Sequence, residues 1–131
     1  RRTTILAAQA DSAPVLIHGS SGTGKGAIAR WLHSQSARAA KPFVVADHKS
    51  PLANQIVSAQ GGTLLINEIG EWPLGEQRTL LIFLNTKAVP HRESPETKTL
   101  ANVRIVATSS QALESRAQGG LFNAELLEKL N

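Results

Sequence analysis

Lys25, the glycines at 19, 22 and 24, and the pair Asn67-Glu68 are the residues whose types and spacing point to chemistry. The first group lies in the stretch Val15 to Arg30, VLIHGSSGTGKGAIAR. A triphosphate must be held by many hydrogen-bond donors at close range. Glycines let a backbone take positive φ and turn its N–H groups inward around an anion. A helix N-terminus aimed at the same point adds partial positive charge. Lys25 would supply a full charge for the β and γ phosphates. The residues Gly19, Ser20, Ser21, Gly22, Thr23, Gly24, Lys25 and Gly26 are therefore the candidate phosphate cradle. The match is G-x-x-x-x-G-K without its last letter: Gly26 stands where a Ser or Thr hydroxyl would touch Mg²⁺. The competing reading is a glycine-rich turn carrying a solvated lysine. The flanks favour the cradle. Val15-Leu16-Ile17-His18 reads as a short buried strand, and Ile28, Trp31 and Leu32 recur at helical spacing, so a helix starts near Lys25.

Binding alone does not hydrolyse; that needs a metal and an aligned water. Thr63-Leu64-Leu65-Ile66-Asn67-Glu68 is an apolar strand ending in polar groups, and ligands of open parallel sheets sit beyond the carboxyl ends of the strands. Glu68 can polarise an attacking water as a general base. Asn67 can reach a metal only through a metal-bound water and brings no charge. At about 5 Å and an effective dielectric of about 20, the missing charge forfeits several kcal/mol of attraction for Mg²⁺. Asn67 and Glu68 are thus candidate, weakly equipped metal residues. Ser109 and Ser110, after the strand Val103 to Thr108, can sense a γ phosphate or cap the following helix. His18, His33, His48 and His91 show no metal-ligand spacing, and Trp31 and Trp72 read as packing residues.

The elements that must position these groups follow in order. A helix is expected over Arg2 to Ala10, then a turn at Asp11-Ser12-Ala13-Pro14. The helix after the glycine loop runs to about Ser36. Phe43 to Ala46 reads as a second short buried strand, and Leu52 to Gln60 as a helix opened by Pro51 and closed by Gly61-Gly62. After Gly70 and Pro73, the residues Leu74, Gln77, Leu80, Leu81 and Leu84 mark one helical face. Lys87 to Ala101 reads as a loop or weak hairpin. Helices are expected from Gln111 to Gln118 and from Glu125 onward. Strands alternating with helices predict an α/β domain with a parallel sheet.

The bulk properties are compatible with this. The chain has 131 residues, 41% hydrophobic, enough for one domain with an ordinary core. It lacks cysteine, which removes disulfides and thiolate metal sites. No apolar run is long enough to cross a membrane, so a cytoplasmic location without membrane contact is expected. The net charge of +4 comes from 14 scattered Lys and Arg, Arg38 and Arg104 among them, and reads as solvated surface rather than a nucleic-acid patch.

The blocks GSSGTGKG, KPFVVAD, GGTLLINEIGEWPLGEQ, VRIVATSSQAL and LFNAELLEKLN, in this order, resemble the AAA+ domain of sigma-54-dependent transcriptional activators, the bacterial enhancer-binding proteins. The resemblance covers nearly the whole of residues 1–131. It implies a Rossmann-like P-loop AAA+ core of about four parallel strands with helices on both faces. On this reading residues 1–131 are the N-terminal part of the nucleotide-binding domain, ending before the fifth strand and helical lid. It implies ATP or ADP and Mg²⁺ as ligands. The implied partners are like AAA+ subunits in a ring or oligomer and sigma-54 RNA polymerase, with DNA reached through a domain outside this chain. Gly19 to Gly26 then correspond to the Walker A loop, Asn67-Glu68 to Walker B, and Ser109-Ser110 to sensor I. The family's Walker B reads Asp-Glu, so Asn67 departs from it. Its Walker A commonly reads GESGTGKE, where this chain has Ser20 and Gly26 in place of the glutamates. The GAFTGA loop that contacts sigma-54 is absent between His48 and Gln60. Asn123 and Lys129 occupy the positions of arginines that reach a neighbour's nucleotide; Lys129 keeps the charge without the planar fork. The expectation is an ATP-binding regulator domain with weak or absent hydrolysis. The alternative is a catalytically dead AAA+ module that assembles with other regulators.

Overall fold

The computed structural model describes residues 13–20, 24–90 and 98–130. The helix expected over Arg2 to Ala10, the loop residues Ser21, Gly22 and Thr23, and His91 lie outside the described residues.

The described residues form six strands and five α-helices, in the order β1 (Val15–His18), α1 (Lys25–Ser34), β2 (Phe43–Val45), α2 (Leu52–Ser58), β3 (Thr63–Ile66), a 3₁₀ turn (Ile69–Glu71), α3 (Leu74–Thr86), β4 (Ala88–Pro90), β5 (Lys98–Leu100), β6 (Arg104–Ser109), α4 (Leu113–Gln118) and α5 (Ala124–Leu130). Four strands form one parallel sheet in the order β1-β6-β3-β2. β4 and β5 pair antiparallel, so the segment left open between loop and hairpin is a hairpin.

Alternation along each strand splits the core in two. Val15, Ile17, Leu65 and Val106 face α1, where Ala29 and Leu32 are fully buried. Leu16, Leu64, Ile66, Ile105 and Ala107 face the other way, into a larger cluster with Ile56, Leu80, Phe83, Leu113 and Leu126 from α2, α3, α4 and α5. Among the described residues, helices therefore cover both faces, as expected, but unequally: one against four.

That inequality explains several departures from the sequence reading. Trp31 is 46% exposed, because α1 buries a single stripe and, among the described residues, no second helix shelters its flank. β2 is an edge strand rather than a buried one, with Val45 exposed. On α3, Leu74 is exposed, while Phe83 is buried beside Gln77, Leu80 and Leu81. Gln77 is buried because its amide is used up: Nε2 donates to the carbonyls of Trp72 and Leu121, and Oε1 accepts from the Asn123 amide.

Two cations expected on the surface are interior. The Arg38 guanidinium donates to the carbonyl of Gly61 at 3.0 Å, to that of Asn102 at 3.2 Å and to Asn102 Oδ1 at 2.8 Å, tying three loops below the sheet. Arg104 is fully buried and donates from Nε to the Ala13 carbonyl. A buried arginine is tolerated when carbonyls satisfy its donors, which a sequence does not reveal. His33 is interior too. Its Nε2 donates to the Lys41 carbonyl at 2.9 Å, which leaves Nδ1 to accept the Thr63 hydroxyl at 2.8 Å.

Where β2 and β3 begin, the backbones touch. A Cβ on Gly62 would lie 1.9 Å from the Pro42 carbonyl oxygen, whereas one on Gly26, in the first turn of α1, would meet nothing within 4 Å. Gly62→Ala is therefore expected to destabilise the chain by more than about 2 kcal/mol. Gly26→Ala should gain about 0.4–1 kcal/mol, because the unfolded chain loses freedom and the helix does not suffer. Urea denaturation of the two variants checks both signs.

Candidate functional site

The strand register brings the polar strand ends together. His18 of β1 lies beside Ser109 of β6, and Ile66 of β3 lies beside Ala107. The glycine loop, Asn67-Glu68 and Ser109-Ser110 thus leave the same, carboxyl edge of the sheet, side by side.

The glycine loop is anchored at its base by the Gly19 amide, which donates to the Ser109 carbonyl at 3.1 Å. It ends at Gly24, whose φ of 79° lies in the left-handed region and turns the chain into α1. Lys25, the first residue of that helix, is buried and folds back: Nζ donates to the carbonyls of Gly19 and Ser20, each at 2.9 Å. The ammonium is thus held against the loop's first turn by two backbone carbonyls.

Glu68 follows β3 in a left-handed conformation, φ 48°, uncommon for a residue with a side chain. Its surroundings hold it there. The Glu68 amide donates to Thr108 Oγ1 at 3.0 Å, and its Oε1 accepts from both the amide and the hydroxyl of Ser110, each at 3.0 Å. Thr108 in turn donates its hydroxyl to Asn67 Oδ1 at 3.2 Å. The Asn67 carbonyl accepts the indole N–H of the buried Trp72 at 3.0 Å, and His48 stacks on that indole with ring centroids 4.0 Å apart. Asn67 itself is exposed.

Of the residues singled out in the sequence, the structure joins Gly19, Ser20, Lys25 and Ser109 in one hydrogen-bonded group and Asn67, Glu68 and Ser110, through Thr108, in another. The two meet at the neighbours Ser109 and Ser110 to form one cluster at the sheet edge. Ser109 and Ser110 divide their work. Ser110 bonds Glu68, while the buried Ser109 exchanges hydrogen bonds with the backbone of Gln111. Neither caps α4, whose N-cap is Ala112. Asn123 is the cap of α5: its Oδ1 accepts the Leu126 amide at 3.0 Å. Lys129 is exposed in the last turn of α5 and shares no described contact with the cluster. Trp72 packs as expected, but with a polar task added. Thr108 was missed as a site residue. Its signal, a hydroxyl closing an apolar strand, gains meaning only once β6 is known to lie beside β3.

Thr108→Val keeps shape but leaves the Glu68 N–H without its acceptor. It should cost about 1–3 kcal/mol and speed amide hydrogen exchange at Glu68, with Thr108→Ser close to the parent in both.

Comparison with known proteins places this geometry. The profile of the sigma-54 interaction domain matches residues 2–131. The alginate biosynthesis transcriptional regulatory protein AlgB of Pseudomonas syringae pv. tomato is 36% identical over 91% of this chain and 32% of its own length. The chain thus spans about a third of the length of the curated relatives it matches. Among solved structures, NtrX from Brucella abortus in complex with ATP superposes with a TM-score of 0.85 at 28% identity, over all of this chain and 32% of that one. The P-loop NTPase domain of the sigma-54 transport activator from E. coli gives 0.71 at 24% identity, over 98% of each, which speaks to the fold. The chain folds as a P-loop NTPase core and belongs to the sigma-54 interaction domain family, the AAA+ domain type of sigma-54-activator transcription regulators.

Proposed function

We propose that residues 1–131 are the ATP-binding part of the AAA+ domain of a transcription regulator, with weak or absent hydrolysis. Gly19 to Gly26 hold the phosphates, Lys25 neutralises them, and Glu68, aligned by Ser110, is the base for water where turnover occurs. Mg²⁺ is held weakly at most, through Asn67 and Glu68. The observation that carries this reading is the position of Lys25: its Nζ sits 2.9 Å from two carbonyls of the loop it would share with a phosphate, on the sheet edge that also carries the Ser110–Glu68 pair. The nucleotide complex of the NtrX relative supports the same ligand.

Partner subunits of the same kind follow from the family, and sigma-54 polymerase is the corresponding client. A second reading, an interaction module without catalysis, draws on two features. The connection from β2 to β3 holds only α2 and its turns, and Asn123 serves as a helix cap while Lys129 stands apart from the cluster. An arginine reaching a neighbour's phosphates would be worth orders of magnitude in rate, and neither residue replaces it.

Isothermal titration calorimetry with ATP, followed by phosphate-release assays, tests the proposal. The parent chain should bind ATP with slow or no turnover, and Lys25→Ala should weaken binding at least about tenfold. Absence of binding in the parent removes the proposal. Fast turnover that Lys25→Ala stops removes the hydrolysis-poor part of it and the second reading together.

A further inference from the structure

We propose that this site takes the triphosphate without a divalent cation, with the side-chain amide of Asn67 standing as a hydrogen-bond donor to the ligand's oxygens. The inference rests on the nucleotide reading above and specifies the ionic form of the ligand.

Thr108 sets the orientation. An N–H can only donate, so Thr108 Oγ1 accepts from the Glu68 amide at 3.0 Å. Its own proton goes to Asn67 Oδ1 at 3.2 Å. The amide oxygen of Asn67 is therefore turned toward β6, and Nδ2 is turned away from it on an exposed residue. Among the described residues, Nδ2 has no hydrogen-bond acceptor. A carboxylate here would have a second oxygen to spare for a metal-bound water, which is itself a donor and needs an acceptor. The NH₂ group offers two donors and nothing to accept with, so donor would face donor.

The other positions do not compensate. Gly26 brings no hydroxyl, although the space around it is open. Glu68 has one oxygen committed to two donors of Ser110, which leaves a single carboxylate oxygen to meet a cation. No group of three or more His, Asp or Glu that could hold a metal occurs among the described residues. The donor set does not fit Mg²⁺. It fits a bare polyphosphate: the Lys25 ammonium, the amides at the start of α1 and the Asn67 NH₂ are all donors, and phosphate oxygens are all acceptors.

Calorimetric titration of the chain with ATP, in EDTA and in MgCl₂, tests this for the parent and for Asn67→Asp. The parent should bind with affinities within about threefold in the two buffers, and Asn67→Asp should lose at least about tenfold in EDTA and recover in MgCl₂. The aspartate has the same size and still accepts the Thr108 proton; circular dichroism and the melting temperature verify its fold. If it fails to fold, the parent's two titrations decide. A parent that needs Mg²⁺ by tenfold or more overturns the inference and leaves nucleotide binding standing. No ATP binding in either buffer removes the nucleotide reading and the inference with it. An Asn67→Asp chain as indifferent to Mg²⁺ as the parent also overturns the inference, because Asn67 then plays no part in it.

Discussion

The in-register pairing of β6 between β1 and β3 is the constraint on which the rest of the site depends. It sets three strand ends side by side, so that a glycine loop, a carboxylate and a pair of serines far apart in sequence emerge within hydrogen-bond reach. A slip of one residue in β6 would send Thr108 to the opposite face and break the bridge between Asn67 and Glu68. The register is well defended. Ile105, Ala107 and Val106 are each committed to one of two cores, and Gly62, at the other end of β3, fits against Pro42 only without a side chain.

Around that frame, polar residues do the local positioning. Glu68 would not rest at φ 48° on its own. Three hydrogen bonds, from its amide to Thr108 and from Ser110 to its carboxylate, offset the cost of the conformation, which is of the order of 1–3 kcal/mol. Lys25 is likewise held by two backbone carbonyls. Preformed charge and donors of this kind need little rearrangement when an anion arrives, which is how a short loop can bind one tightly.

Much of this was legible in the residues. The apolar runs and the turn residues pointed to the parallel sheet and the order of elements, and the glycine-lysine spacing to the turn from β1 into α1, because each depends on local chemistry. What escaped depends on long-range neighbours. Arg38 and Arg104 look like any surface cation until the carbonyls of Gly61 and Asn102 are found around the first and that of Ala13 on the second. Trp31 and Leu74 look like core until the layers are counted and each is found on a side that the described residues leave exposed. Thr108 looks like the end of a strand until β3 is laid beside it. The Asn67-Glu68 pair could be read as a departure, but not which way the amide would turn.

The contrast between the two indoles has a practical side. Trp31 stands open to solvent, whereas Trp72 is buried with its N–H on the carbonyl of Asn67, and the chain has no tyrosine to add to their ultraviolet emission. A collisional quencher such as acrylamide will silence the first far more than the second. The light that survives comes from one ring, wedged between His48 and the strand end that bears the amide, so the chain carries its own optical reporter on the backbone beside the proposed phosphate cradle.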